Sequence, residues 1–220
     1  MKEQLINFVD FNKSIIDEYC GKYNNYWELL NNLKNEIIII GNKLDKTKYD
    51  EIEPNVWISK MAKVDSTVRI TGPCIIDEES EIRFNAFIRG NVIIGKGCVV
   101  GNSSEIKNAI LFDKAKIPHF NYIGDSIIGY KAHFGAGALT SNVKSDESFV
   151  KVTINGNEYN TNMKKIGAVV GDNVEIGCNA VLTPGVIVGR NTTIYPLTMV
   201  RGEINSNKIV KSMKEIVEKR

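Results

Sequence analysis

The sequence predicts an all-β core built as a parallel β-helix of hexapeptide repeats, and three observations carry that prediction. An aliphatic or aromatic residue recurs at every sixth position through Val64, Ile70, Ile76, Ile82, Ile88, Ile94, Val100, Ile106 and Phe112, and again through Val170, Ile176, Leu182, Val188, Ile194 and Val200. Four residues after these positions the slot is small or β-branched: Val68, Cys74, Ser80, Ala86, Val92, Cys98 and Ser104, then Val174, Ala180, Val186, Thr192 and Thr198. A period of six fits neither the 3.6 of a helix nor the plain alternation of a strand, so the repeat itself is the structural unit. One flat side cannot bury its apolar residue alone. Three sides therefore wind into a coil of about eighteen residues, and successive coils stack about 4.8 Å apart.

The elements follow in order. Residues 1–54 form an N-terminal helical cap and linker: Leu5, Ile6, Phe8, Val9, Ile15 and Ile16 give one apolar stripe, Tyr26, Trp27, Leu29, Leu30, Leu33 and Ile37 a second, and Gly21 breaks them. An open β-helix end exposes unpaired strand edges, so this helical pair is expected to cap it. The run IIII at 37–40 also suits a short strand. Residues 55–203 form the β-helix, with five-residue steps at Phe112–Ile117 and Ile123–Ile128 marking tightened corners. The beat stops at 143–165, where alternating residues flank Asn155-Gly156. That pair suits a type I′ turn, so a hairpin arm leaves the prism there. Residues 204–220 read as a C-terminal helix with Ile209, Met213 and Ile216 on one side.

Composition narrows the function. A chain of 220 residues, 43% hydrophobic, has room for one elongated core. Its net charge of +2, with Lys and Arg spread along the chain, argues against nucleic acid as a partner. The first residues lack a signal architecture and no run of eighteen apolar residues occurs, which points away from membranes and to the cytoplasm. Four cysteines, Cys20, Cys74, Cys98 and Cys178, include no CxxC pair and read as buried free thiols.

Arg89 and Lys107 stand eighteen residues apart, each directly after an inward aliphatic, so both point outward from one side on successive coils. Like charges stacked in this way are destabilising unless an anion lies between them, which makes a phosphate or carboxylate site one reading and two solvated charges the other. His119 and His133 are the two histidines, and a histidine suits proton transfer near neutral pH. Catalytic zinc generally takes three protein ligands, and with two histidines no metal is expected.

The run EIKNAILFDKAKIPHFNYIGDSIIGYKAHFGAGALTSN, with the preceding IRGNVIIGKGCVVGNSS, closely resembles the acetyltransferase domain of bifunctional sugar-1-phosphate nucleotidylyltransferase/acetyltransferases, which make UDP-N-acetylglucosamine. The likeness covers roughly residues 55–203. It implies a left-handed β-helix, a homotrimer, and acetyl-CoA as co-substrate lying between neighbouring prisms. By the same resemblance Arg89, Lys107 and Tyr122 hold the sugar phosphate, His119 is the general base and Asn142 lies near the amino sugar. Lys151 and Lys165 are candidates for the active-site lysines of the archaeal-type members, and Ala136, Cys178 and Pro196 match positions that contact acetyl-CoA. The chain departs from the family at three positions: His133 stands where an Asn contacts substrate, Val143 replaces a Tyr, and Pro196 occupies a site that is usually small.

The Gly-rich nucleotidylyltransferase half has no counterpart in the first 54 residues, so pyrophosphorylase activity is not expected and a separate nucleotidylyltransferase is a candidate partner. The reading is then an acetyl-CoA-dependent N-acetyltransferase of an amino-sugar 1-phosphate, with direct transfer and with backbone N–H groups around Gly135-Ala136-Gly137 as candidate oxyanion donors. Its rival is a non-catalytic hexapeptide subunit that binds a sugar nucleotide or a partner nucleotidylyltransferase.

Overall fold

A computed structural model of the protein describes residues 1–219. Short parallel strands wind into a three-sided prism. Face I stacks Val56–Ser59, Cys74–Ile76, Val92–Ile94, the second halves of Glu105–Leu111 and Tyr122–Ile128, then Ala168–Val170, Val186–Val188 and Glu203–Ile204. Face II runs from Lys63–Val64 through Val99–Asn102, Lys116–His119 and His133–Phe134 to Lys208–Ser212. Face III contains Phe87–Arg89, the first halves of the two long strands, Leu139–Thr140, Val181–Leu182 and Met199–Val200. Nearly all of the six-residue beat points into the prism with the small slots between, and Ser80, Ser104 and Thr192 are buried there beside Cys74 and Cys98.

One step of the beat differs from the sequence expectation. Leu111, rather than Phe112, faces inward; Phe112 turns outward and meets Phe11 edge-on at 5.8 Å. The coil shortens here, since Ile106 pairs with Ile123 and Leu111 with Ile128, seventeen residues on. The two long strands bend from face III to face I at Asn108 and Asp125, whose φ values of 47° and 49° lie in the left-handed region that Asn and Asp tolerate best among side-chain-bearing residues.

The N-terminal segment is helical as expected, but it covers a side of the prism and not its end. Helix Tyr26–Gly41 takes in the IIII run, begins with a capping box between Asn25 and Glu28, and follows shorter turns at Lys2–Leu5, Phe11–Lys13 and Asp17–Cys20. Its apolar stripes pack on the outward column Trp57, Ile75, Ile93, Ile110, Ile127, Val169 and Ile187 of face I. The physical reason is this column: six consecutive coils expose an aliphatic residue beside Trp57 on one face, which offers far more apolar area than a triangular end. The edge of face I is instead closed by Tyr49–Glu53, which pairs antiparallel with Val56–Ser59.

The hairpin forms at Lys151–Ile154 and Asn157–Asn160, with Asn155 and Gly156 at φ 51° and 75°. It folds back onto the same layer through Val150, Val152 and Ile154, and Glu203 accepts hydrogen bonds from both turn N–H groups at 2.9 Å.

The C-terminal helix is not observed. Lys208–Ser212 continues face II as a parallel strand, and Glu215–Glu218 returns antiparallel to it; Arg220 lies outside the described residues. Thr193 and Ile194 present unpaired ladder groups that Ile209 and Val210 satisfy, and this long-range pairing overrides the local helical spacing.

Candidate active site

Four of the expected residues come together on face III, because Ile88 pairs with Ile106 and so sets Arg89 beside Lys107 on neighbouring coils. Each cation has a carboxylate partner: Arg89 Nη1 donates to Glu105 Oε1 at 2.8 Å, and Lys107 Nζ lies 3.2 Å from Asp125 Oδ2. On the next coil the Lys107 column reaches Gly124. The missing side chain matters, since a Cβ there would fall 2.5 Å from the Tyr122 hydroxyl; the tyrosine ring lies over this glycine and brings its hydroxyl toward Asn142, whose Nδ2 is 3.3 Å away. Asn142 Nδ2 also donates to Asp125. Burial, then the Asp125 and Glu105 carboxylates, push the Tyr122 pKa above its ordinary value, so the hydroxyl keeps its proton.

A second group lines the corner between faces II and III. His119 pairs with Asn102, and the ladder continues as Gly137 N–H donates to the His119 carbonyl (3.0 Å), Asn179 N–H to that of Ala136 (2.9 Å) and Leu197 N–H to that of Cys178 (2.9 Å). His119, Ala136, Cys178 and Pro196 therefore occupy one column on successive coils. The His119 and Cys178 side chains are exposed, Ala136 is half-buried, and Phe84, Phe120 and Leu197 leave large apolar surface on the same corner. Asn121 anchors the His119 loop by accepting the His119 N–H through Oδ1 at 2.9 Å and donating to the Gly135 and Ala138 carbonyls.

The other expected residues lie apart. His133 sits at the start of its face II strand, level with Lys116 on the coil before, with Nδ1 2.8 Å from Glu175 Oε2. Lys116 is three residues ahead of His119 on one strand, so the two histidines are separated by roughly 10 Å along the face at about 3.3 Å per residue. Lys151 pairs with Glu158 within the hairpin at 2.7 Å, and exposed Lys165 holds a backbone bridge to Val143. The oxyanion expectation is corrected for two of its donors, because Gly135 N–H donates to Ile176 and Gly137 N–H to His119. The cysteine expectation holds for three thiols: burial pushes Cys20 up to about 12 and raises Cys74 and Cys98 further. Cys178 is exposed, because it lies at the corner and not in the inward slot.

Among the described residues no cluster of three or more His, Cys, Asp or Glu could hold a metal ion, and no helix is long and apolar enough to cross a membrane.

The repeat, the three-sided winding and the corner column together define a left-handed β-helix protein of the hexapeptide class. Within it, residues 70–166 match the GMPPB C-terminal domain family and residues 167–202 the six-repeat bacterial transferase hexapeptide family. About three quarters of the chain is similar to curated bifunctional proteins. Bifunctional protein GlmU of Methanococcus maripaludis is 36% identical over 182 residues, which cover 74% of this chain and 44% of that protein. A bifunctional sugar-1-phosphate nucleotidylyltransferase/acetyltransferase of Sulfurisphaera tokodaii is 31% identical over 188 residues, covering 77% and 47%. The chain thus spans less than half the length of these curated relatives. A solved structure of PerB from Caulobacter crescentus with CoA and GDP-perosamine overlaps at a TM-score of 0.28 and 15% identity, over 74% of this chain and 56% of that one, which is too little to inform the site.

Proposed function

We propose that this protein is an acetyl-CoA-dependent N-acetyltransferase of an amino-sugar 1-phosphate such as glucosamine- or galactosamine-1-phosphate. The observation that carries the proposal is the placement of His119 in one corner column with Ala136, Cys178 and Pro196, beside the face that groups Arg89, Lys107, Tyr122 and Asn142. In this reading acetyl-CoA runs along the corner, and the cations with the Tyr122 hydroxyl fix the phosphate and so orient the amine. His119 removes the amine proton as nitrogen attacks the thioester carbonyl; the C–N bond forms, the C–S bond breaks, and CoA leaves as a thiolate that takes up a proton. Transfer is direct: burial keeps Cys20, Cys74 and Cys98 as thiols away from the corner, and the exposed Cys178 lies two coils along the corner column from His119, about 9.6 Å at one strand spacing per coil, out of reach of its imidazole. Lys151 and Lys165, placed around the hairpin, and His133 on face II are assigned to a substrate edge that closes when a second prism docks. The assembly is a homotrimer of cytoplasmic location, with a nucleotidylyltransferase acting beside it.

The direct experiment is CoA release from acetyl-CoA across a panel of amino-sugar phosphates and their unphosphorylated counterparts. A kcat/KM much higher for phosphorylated amines than for their slowly turned-over unphosphorylated counterparts is the expected result. Binding of a sugar phosphate without release of CoA on any member of the panel would leave a non-catalytic subunit.

A further inference from the structure

We propose that Asp125 is a positioning residue that sets the donor and acceptor polarity of the amino-sugar phosphate site, an inference that rests on the acetyltransferase reading above. Asp125 is only 5% exposed, at a bend with φ 49°. Its carboxylate is surrounded by nitrogen donors: Asn108 Nδ2 at 2.8 Å on Oδ1, Lys107 Nζ at 3.2 Å on Oδ2, and Asn142 Nδ2 on Oδ2. An ionised carboxylate only accepts. Asn142 is therefore locked with its amide nitrogen toward Asp125, because the flipped orientation would set a carbonyl oxygen against the carboxylate.

The lock propagates. Asn142 Nδ2 also donates to the Tyr122 hydroxyl oxygen, and since that oxygen already accepts, the Tyr122 hydrogen is left to donate elsewhere. Lys107 offers a cation, Tyr122 a donor, and Asn142 its carbonyl oxygen. A cation and a donor match phosphoryl oxygens, whereas a carbonyl acceptor matches the N–H or O–H of the amino sugar. Flipping this one amide would face an NH2 toward an ammonium and a lone pair toward a phosphate, and both contacts are repulsive. Through one buried carboxylate, the site favours a ligand with an anion at one end and a hydrogen-bond donor at the other.

The test uses the full chain. Asp125→Asn keeps the shape and tolerates the left-handed φ but removes the lock, so KM for the amino-sugar 1-phosphate should rise about 10- to 100-fold while KM for acetyl-CoA stays within about 2-fold. Tyr122→Phe should cost about 10-fold in kcat/KM in the wild-type background and less than about 3-fold in Asp125→Asn, because Asp125 reaches Tyr122 through Asn142. Should Asp125→Asn fail to fold, Asn142→Ala breaks the same relay and should give the same KM split. Additive costs for Tyr122 and Asp125, or equal rises in both KM values, would overturn the relay. Calorimetry with glucosamine-1-phosphate and with galactosamine-1-phosphate separates the two levels. A wild-type chain that binds either one without turnover removes the acetyltransferase assignment, and the relay then stands if Asp125→Asn raises that Kd about 10-fold or more and falls if it does not; a chain that binds neither overturns both.

Discussion

Arg89 and Lys107 illustrate how a residue's partner decides what its charge can do. Both are held by carboxylates, so a phosphate arriving between them replaces or shares existing ion pairs. Replacing either with Ala should cost roughly 1.5 to 3 kcal/mol in kcat/KM for a phosphorylated amino sugar, mainly through KM, and leave unphosphorylated amines almost unchanged. Kinetics on the two substrate types check it. His119→Ala should lower kcat by about 10²- to 10⁴-fold and abolish a limb in which the rate rises with pH. His133→Asn should keep that limb, since His133 faces Glu175 at the far end of its face; a pH–rate profile distinguishes the two histidines. Cation placement was legible because the six-residue register fixes which side a residue leaves. Asp125 and Gly124 were not, since the spacing marks Ile123–Ile128 only as a tightened corner, and their roles emerge once the long strand bends there and lays Tyr122 over the glycine.

At the level of elements, the capping box of helix Tyr26–Gly41 gives a pH-dependent contribution with a definite sign. The hydrogen bond from Asn25, then the backbone N–H groups of Asn24 and Asn25, hold the Glu28 carboxyl below its ordinary value. Its stabilisation is therefore present above the unfolded carboxyl pKa near 4.3 and is lost as pH falls through the lower folded value. Glu28→Gln should be less stable by about 0.5 to 1 kcal/mol at pH 7, with the difference fading as pH falls below the ordinary carboxyl range, as urea denaturation at several pH values would reveal. Elements read from period or turn chemistry, namely the prism and the Asn155-Gly156 hairpin, were legible. The C-terminal strands were not, because Ile209, Met213 and Ile216 fit a helical stripe as well as a strand, and only the open ladder of Thr193 and Ile194 decides. The docking side of the N-terminal helices was latent in the triplets CII, VII, AIL, SII, AVV and VIV, whose middle residue is apolar on one face only.

For the whole molecule, face I is already covered by the chain's own helices and hairpin, so association must use faces II and III, where the corner exposes Phe84, Phe120 and Leu197. Three copies meeting there would bring a second prism against the His119 column. Sedimentation at micromolar concentration should give a single trimeric species, and Leu197→Glu should dissociate it and remove turnover together. A monodisperse monomer with full activity would contradict this arrangement.

A solenoid whose coils touch only their neighbours unfolds from its ends, one coil after another. This one carries a splint. The N-terminal layer grips the column from Trp57 to Ile187 lengthwise, so no coil along that span can peel away without breaking contacts to a body that also holds the coils far from it. The expected behaviour is a single cooperative transition with hydrogen exchange protected alike at Ile75 and Ile187. Severing the layer, as with Leu33→Asp, should turn that one transition into a broad, stepwise melt read by circular dichroism, converting a rigid rod into an array that frays.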